Sequence, residues 1–150
     1  MSIEVSDLNE LERHAADFSQ KLATTAHKEA LVVGLSGELG AGKTTFTQAV
    51  ARTFGIEARI TSPTFVIMKI YDIPSHGRFS KFIHIDAYRL QNSNELIHLG
   101  FNELIREQGN LIFIEWPERV PEATPKTSIG VEFEVVGEAS RMLSYHNTPW

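Results

Sequence analysis

The sequence predicts an α/β fold, and three observations carry that prediction. Ala30-Leu31-Val32-Val33-Gly34-Leu35 is a short apolar run rich in β-branched residues, as a buried strand requires. Residues 37–44 read Gly-Glu-Leu-Gly-Ala-Gly-Lys-Thr, the pattern G-x-x-x-x-G-K-[ST]. Thr44 to Phe54 then carries apolar side chains at 46, 49, 50 and 54, a helical stripe, with Gly55 as its stop. Strand, glycine-rich loop and helix N-terminus in this order build an anion site, because unpaired N–H groups and the helix dipole both favour negative charge. The candidate phosphate-binding positions are Gly37, Leu39, Gly40, Ala41, Gly42, Lys43, Thr44 and Thr45. Lys43 supplies a point charge for the β- and γ-phosphates, and the Thr44 hydroxyl is a candidate Mg²⁺ ligand.

The remaining elements continue the alternation. Asp7 to Ala23 places apolar residues at 8, 11, 15, 18 and 22, one stripe of a helix. Ile60-Thr61 leads into Ser62-Pro63-Thr64, a turn held extended before its proline. Phe65 to Tyr71 and Lys81 to Ile85 read as strands joined by residues 72–78, an antiparallel hairpin. Asn94 to Glu107 is helical with an interruption at Gly100, and Leu111 to Ile114 is a buried strand. Pro117, Pro121 and Pro125 mark a loop. Ile129 to Val136 suits an edge or half-exposed strand, and Arg141 to His146 pairs with it through a turn at 136–139. No repeat or second domain is visible, so 1–150 is expected to form a single domain.

Composition narrows the function. The chain has no cysteine, which excludes disulfides, thiolate catalysis and cysteine-based zinc sites. The six histidines are scattered without metal-ligand spacing. Net charge is −5 with no strong basic block, which argues against an autonomous nucleic-acid binder. No run approaches a membrane span, and the first residues lack a signal peptide's basic and apolar regions, so the expected location is cytoplasmic.

Two acidic residues end apolar strands. Asp86 follows Phe82-Ile83-His84-Ile85, and Glu115 follows Leu111-Ile112-Phe113-Ile114. Ligands of open α/β sheets sit beyond the carboxyl ends of the strands. A phosphate-loop enzyme needs one carboxylate there to help hold Mg²⁺, and a second can orient water. The residues alone do not say which does which. Thr64 is a candidate sensor of the γ-phosphate, with an ordinary turn hydroxyl as the competing reading. Trp116 reads as a partner contact, a shield for the site or core, with core the commoner case, and Arg89 as an internal arginine acting on phosphate or, more commonly, a member of a surface ion pair.

Taken together, GELGAGKT at 37–44, Ser62-Pro63-Thr64-Phe65, His84-Ile85-Asp86-Ala87-Tyr88-Arg89-Leu90 and Ile114-Glu115-Trp116-Pro117-Glu118 resemble the TsaE family of bacterial tRNA threonylcarbamoyladenosine biosynthesis. The resemblance covers about residues 6 to 145. It implies a P-loop NTPase-like, three-layer α/β domain with a largely parallel central sheet plus antiparallel strands. It also implies ATP or ADP with Mg²⁺ as ligands, slow ATP hydrolysis alone, and two protein partners, TsaD and TsaB. Those partners place the threonylcarbamoyl group on adenosine 37, so tRNA is met only through the complex. By the same resemblance Thr44 and Glu115 ligate Mg²⁺, Asp86 and Lys43 serve hydrolysis, Ser62 to Phe65 with Thr64 form a switch, and Arg141 lies near the nucleotide. Asn92-Ser93-Asn94-Glu95-Leu96 departs from the family's usual stretch after Y-R-L without touching a catalytic position.

Two other classes compete. A small-molecule kinase would share the phosphate loop but needs an acceptor pocket and an arginine-bearing lid, and no arginine cluster is present. A GTP-dependent switch usually carries N-K-x-D, which this chain lacks.

Overall fold

Seven strands form one mixed sheet that carries helices on both faces. The computed structural model describes residues 1–61, 66–74 and 77–150. The chain runs β1 (Ser2–Val5), α1 (Leu8–Thr24), β2 (Leu31–Gly37), α2 (Lys43–Thr53), β3 (Met68–Asp72), β4 (Lys81–Asp86), α3 (Ser93–Ile97), α4 (Phe101–Leu104), β5 (Asn110–Glu115), a 3₁₀ turn (Pro117–Arg119), β6 (Ile129–Val135) and β7 (Arg141–His146). Strand order across the sheet is β1-β7-β6-β2-β5-β4-β3. The four central strands β6, β2, β5 and β4 are parallel, and the pairs β1–β7, β6–β7 and β3–β4 are antiparallel. Parallel pairing is thus confined to the centre of the sheet.

The period-2 alternation of strand side chains divides the core in two. Val33, Leu35, Phe82, Leu111, Phe113, Ile129, Val131 and Phe133 pack with Leu11, Phe18 and Leu22 of α1 and Phe46, Ala49 and Val50 of α2. Val32, Ile83, Ile85, Ile112 and Ile114 point the other way, against Leu96 of α3, Phe101 of α4 and Val120. Helix α1 starts where its cap permits. The Asp7 carboxylate accepts the Glu10 N–H at 2.9 Å, and Glu10 returns the favour by accepting the Ser6 N–H. Its stripe begins at Leu11, because Leu8 is exposed and Ser19 is buried instead, with its hydroxyl donating to the Ala15 carbonyl.

The structure departs from the sequence expectations at several elements. Strand β1 has only four residues and leaves no periodic signal. It exists by pairing with β7, with Ser2 opposite Ser144. Strand β3 begins at Met68, directly after Ile67 in a left-handed conformation (φ 69°), and the Phe65 at which the sequence would start it lies outside the described residues. Strand β6 is interior, between β2 and β7. Of the two readings the sequence allowed, its alternation of buried and exposed residues is that of a half-exposed strand and not of an edge. The helical stretch around Gly100 is two short helices, as its glycine anticipates. Ser62 to Phe65, and with them Thr64, lie outside the described residues.

Candidate nucleotide site

The carboxyl ends of β2, β4 and β5 meet at one edge of the sheet. Because β2 and β4 flank β5, the end of β2, Asp86 and Glu115 come to one place, with Leu35 and Asp86 both beside Glu115 in register. The loop 37–42 leaves β2 at this edge and delivers the N-terminus of α2, whose first residues are Lys43 and Thr44. A cavity of about 290 Å³ opens there. Of the sequence candidates, Leu39, Gly40, Gly42, Lys43, Thr44, Thr45, Asp86 and Glu115 line it, and Tyr88 and Trp116 join them. Gly37 and Ala41 do not line it. Ala41 is fully buried, and Gly37 contributes its carbonyl to Lys43. Arg141 approaches from β7, its Nη2 3.5 Å from the Gly40 carbonyl oxygen.

The side chains lock together at this edge. The Thr44 hydroxyl stands 3.2 Å from Glu115 Oε1 and 3.1 Å from Oε2. Glu115 is 4% exposed and Asp86 6%. One oxygen of Asp86, Oδ1, accepts the Tyr88 N–H at 3.0 Å. Lys43, 4% exposed, folds its ammonium back onto the loop, donating to the Gly37 carbonyl and, at 2.8 Å, to the Glu38 carbonyl. Its Nζ also lies 4.5 Å from the centroid of the Trp116 ring. Burial lowers the Lys43 pKa, while the charges of Glu115, Glu118, Asp86 and Glu38 oppose that shift. An incoming phosphate oxygen would offer this ammonium a stronger acceptor than neutral carbonyls.

Two residues stand out. Trp116 is half-buried and lines the cavity, which fits the reading of a shield for the site and not that of core. It takes a left-handed conformation (φ 62°, ψ 52°) directly before Pro117, where sterics favour extended backbone. Its N–H bonds the Leu35 carbonyl at 3.0 Å, and its ring packs 5.1 Å from Tyr88. Strain of about 1–3 kcal/mol is thereby held in the site wall. His84, which shows no metal-ligand spacing in the sequence, is fully buried, with Nε2 2.6 Å from Glu115 Oε2. Two signals point to it: a polar residue inside an apolar strand, and its place at the head of the motif that ends in Tyr88-Arg89-Leu90. Arg89 is exposed and does not line the cavity.

The donors in this site are all oxygen, the chemistry of a hard cation such as Mg²⁺. Among the described residues no group of three or more His, Cys, Asp or Glu could hold a metal ion. Thr44 and Glu115 alone therefore fit a cation that takes the rest of its shell from phosphate and water, which is the habit of Mg²⁺.

Comparison with known proteins decides the family. The family described as "Threonylcarbamoyl adenosine biosynthesis protein TsaE" matches residues 7–143. The chain belongs to the TsaE family. A Treponema pallidum protein named tRNA threonylcarbamoyladenosine biosynthesis protein TsaE is 35% identical, covering 78% of this chain and 82% of that protein. The Rickettsia typhi protein of the same name is 33% identical over 89% of this chain and 88% of its own length. The crystal structure of Bacillus subtilis YdiB superposes with a TM-score of 0.72 at 28% identity, covering 97% of this chain and 83% of that one. TsaE membership thus agrees with the resemblance carried by the four sequence motifs. Among the described residues no helix is long and apolar enough to cross a membrane.

Proposed function

We propose that this TsaE-family chain is a P-loop, Mg²⁺-dependent ATPase required for threonylcarbamoyl modification of tRNA adenosine 37, and that it acts in the cytoplasm on a TsaD–TsaB complex without transferring the group itself. The observation that best supports this reading is the Thr44 hydroxyl set against the buried Glu115 carboxylate, beside a buried lysine at a helix N-terminus.

In this reading the N–H groups of 39–44 and the Lys43 ammonium bind and orient the triphosphate of ATP, and retain ADP afterwards. Thr44 and Glu115 would hold Mg²⁺, which when bound neutralises charge developing between the β- and γ-phosphates. Asp86, next to Glu115 in register, positions the attacking water and accepts its proton. The backbone of Tyr88 steadies Asp86 through its N–H. Trp116 and Tyr88 wall the cavity and limit water entry. Arg141 supports the loop from the far side through Gly40. Thr64 reports the γ-phosphate, and its loop relays that state to the partner surface. An acidic chain that works on a protein complex needs no basic surface of its own.

The test is steady-state ATP hydrolysis with Mg²⁺, first alone and then with the TsaD–TsaB pair. Slow turnover alone that rises with the pair supports the proposal. Turnover indifferent to the pair overturns it in favour of a stand-alone nucleotidase, and turnover dependent on a small-molecule acceptor overturns it in favour of a kinase. Glu115→Ala is expected to lose Mg²⁺ dependence more than nucleotide binding, and normal Mg²⁺-dependent turnover in that variant would remove Glu115 from its role.

A further inference from the structure

We propose that His84 is a positioning residue whose imidazole fixes the Glu115 carboxylate in the orientation that meets Thr44. The inference rests on the reading of Thr44 and Glu115 as the Mg²⁺ pair and assigns a role to a residue outside that pair.

His84 lies in the middle of β4, and β4 runs parallel to β5 with His84 opposite Phe113 and Asp86 opposite Glu115. Residues two apart share a face, so His84 reaches Glu115 on the diagonal while Asp86 stands directly beside it. His84 Nε2 and Glu115 Oε2 are 2.6 Å apart, closer than either contact of Glu115 with Thr44. That bond requires the proton on Nε2. Among the described residues the other ring nitrogen, Nδ1, is buried without a hydrogen-bond partner.

This arrangement has a direction. A fully buried imidazole with one unpaired nitrogen carries a desolvation penalty that an apolar side chain of similar size would not. On the β5 side Phe113 stands opposite it and Phe82 precedes it on the same face, while on the β3 side Lys69 is its register partner. The apolar side gives no reason for a polar ring here, and the bond to Glu115 does. Thr44 has one hydroxyl proton to share between Oε1 and Oε2, so it leaves the carboxylate free to rotate. His84 pins Oε2 and so fixes the carboxylate where both of its oxygens stand 3.1–3.2 Å from the Thr44 hydroxyl. Partners that orient a metal-ligating group in this way typically contribute about 10–100-fold in metal affinity.

The experiment compares wild type with His84→Gln, His84→Asn and His84→Leu. Glutamine places an N–H near the position of Nε2, asparagine falls one methylene short, and leucine removes the donor. Mg²⁺ is titrated calorimetrically into each protein–ADP complex, and ADP affinity is measured separately in EDTA. Wild type and His84→Gln are expected to agree within about threefold, while His84→Asn and His84→Leu lose about 10–100-fold in Mg²⁺ affinity. ADP affinity in EDTA is expected to stay within about twofold for all four. Wild-type Mg²⁺ affinity in His84→Asn overturns the inference, as does an equal loss of ADP affinity in EDTA, which marks general loosening. Absence of Mg²⁺ binding by wild type would instead overturn the Thr44–Glu115 reading beneath it. Should the variants not fold, long-range proton–nitrogen spectra of the wild-type ADP complex decide. An Nε2–H tautomer of His84 whose resonances move on adding Mg²⁺ supports the role, and an Nδ1–H tautomer excludes it.

Discussion

Replacing Gly37 with alanine probes how far the phosphate loop depends on its first residue. Gly37 has φ +138°, and an added Cβ would stand 2.4 Å from the Phe133 carbonyl oxygen, 3.0 Å from its Cβ and 3.2 Å from its carbonyl carbon. Phe133 is the register partner of Gly37 in β6, so two of these atoms are sheet backbone and cannot swing aside. Two penalties combine. Backbone held in a sparsely populated region costs about 1–3 kcal/mol. Forcing a methyl group into occupied space adds about 1–3 kcal/mol. The sum, roughly 2–6 kcal/mol, is a large part of the 5–15 kcal/mol that holds a typical domain together. Gly40→Ala is the control, because φ there is +79° with nothing within 4 Å of the added Cβ. That variant keeps only the conformational penalty, about 1–2 kcal/mol. Urea denaturation of both, with matching m-values, measures the difference. Gly37→Ala should be the less stable by at least about 1 kcal/mol. It should also weaken nucleotide binding, because the Gly37 carbonyl holds the Lys43 ammonium. A Gly37→Ala protein as stable as Gly40→Ala would refute the steric argument.

Other outcomes follow from the same geometry. Lys43→Ala should weaken ATP binding by about 100-fold, the loss of one charge-assisted contact to phosphate of roughly 1.5–3 kcal/mol, measured by competition with a fluorescent nucleotide. Burial, reinforced by the charge of Asp17, pushes the Tyr145 phenol from 10.0 up to about 12. The folded protein therefore holds its phenolic proton where the unfolded chain has lost it. The stabilisation is complete below pH 10 and disappears as pH rises toward 12. Tyr145→Phe should remove up to about 2–3 kcal/mol of that alkaline decline, read from urea melts between pH 10 and 12 alongside phenolate absorbance.

The central strand, loop and helix were legible because each carries its own local signal: β-branched residues, glycines with Lys-Thr, then a helical stripe. Asp86 and Glu115 were legible because each ends an apolar run, and parallel pairing of β4 with β5 makes those two ends neighbours. What escaped has its cause in distant parts of the chain. His84 opens the H-x-D-x-Y-R-L motif, but its role was not legible there, since its partner lies across the sheet and 31 residues on. Trp116 reads as core by hydrophobicity, yet the Leu35 carbonyl and Pro117 hold it in a backbone state that local preference disfavours. The interior place of β6 depends on a strand that follows it, β7, and β1 exists only once β7 is formed.

That last dependence has a temporal side. Ser2 and Ser144 share a hydroxyl contact across 142 positions of chain, and the Tyr145 N–H closes onto the Met1 carbonyl. At about 5–20 residues per second, the ribosome makes β1 roughly 7–30 s before its neighbour in the sheet. Over that interval the four residues of β1 lack the β7 partner they pair with in the sheet and must wait, tethered to α1. The growing chain can assemble the loop and the strand ends that carry Asp86 and Glu115 well before the sheet is complete. Addition of β1 to the sheet edge is therefore expected among the slowest and most chaperone-exposed steps of its biogenesis.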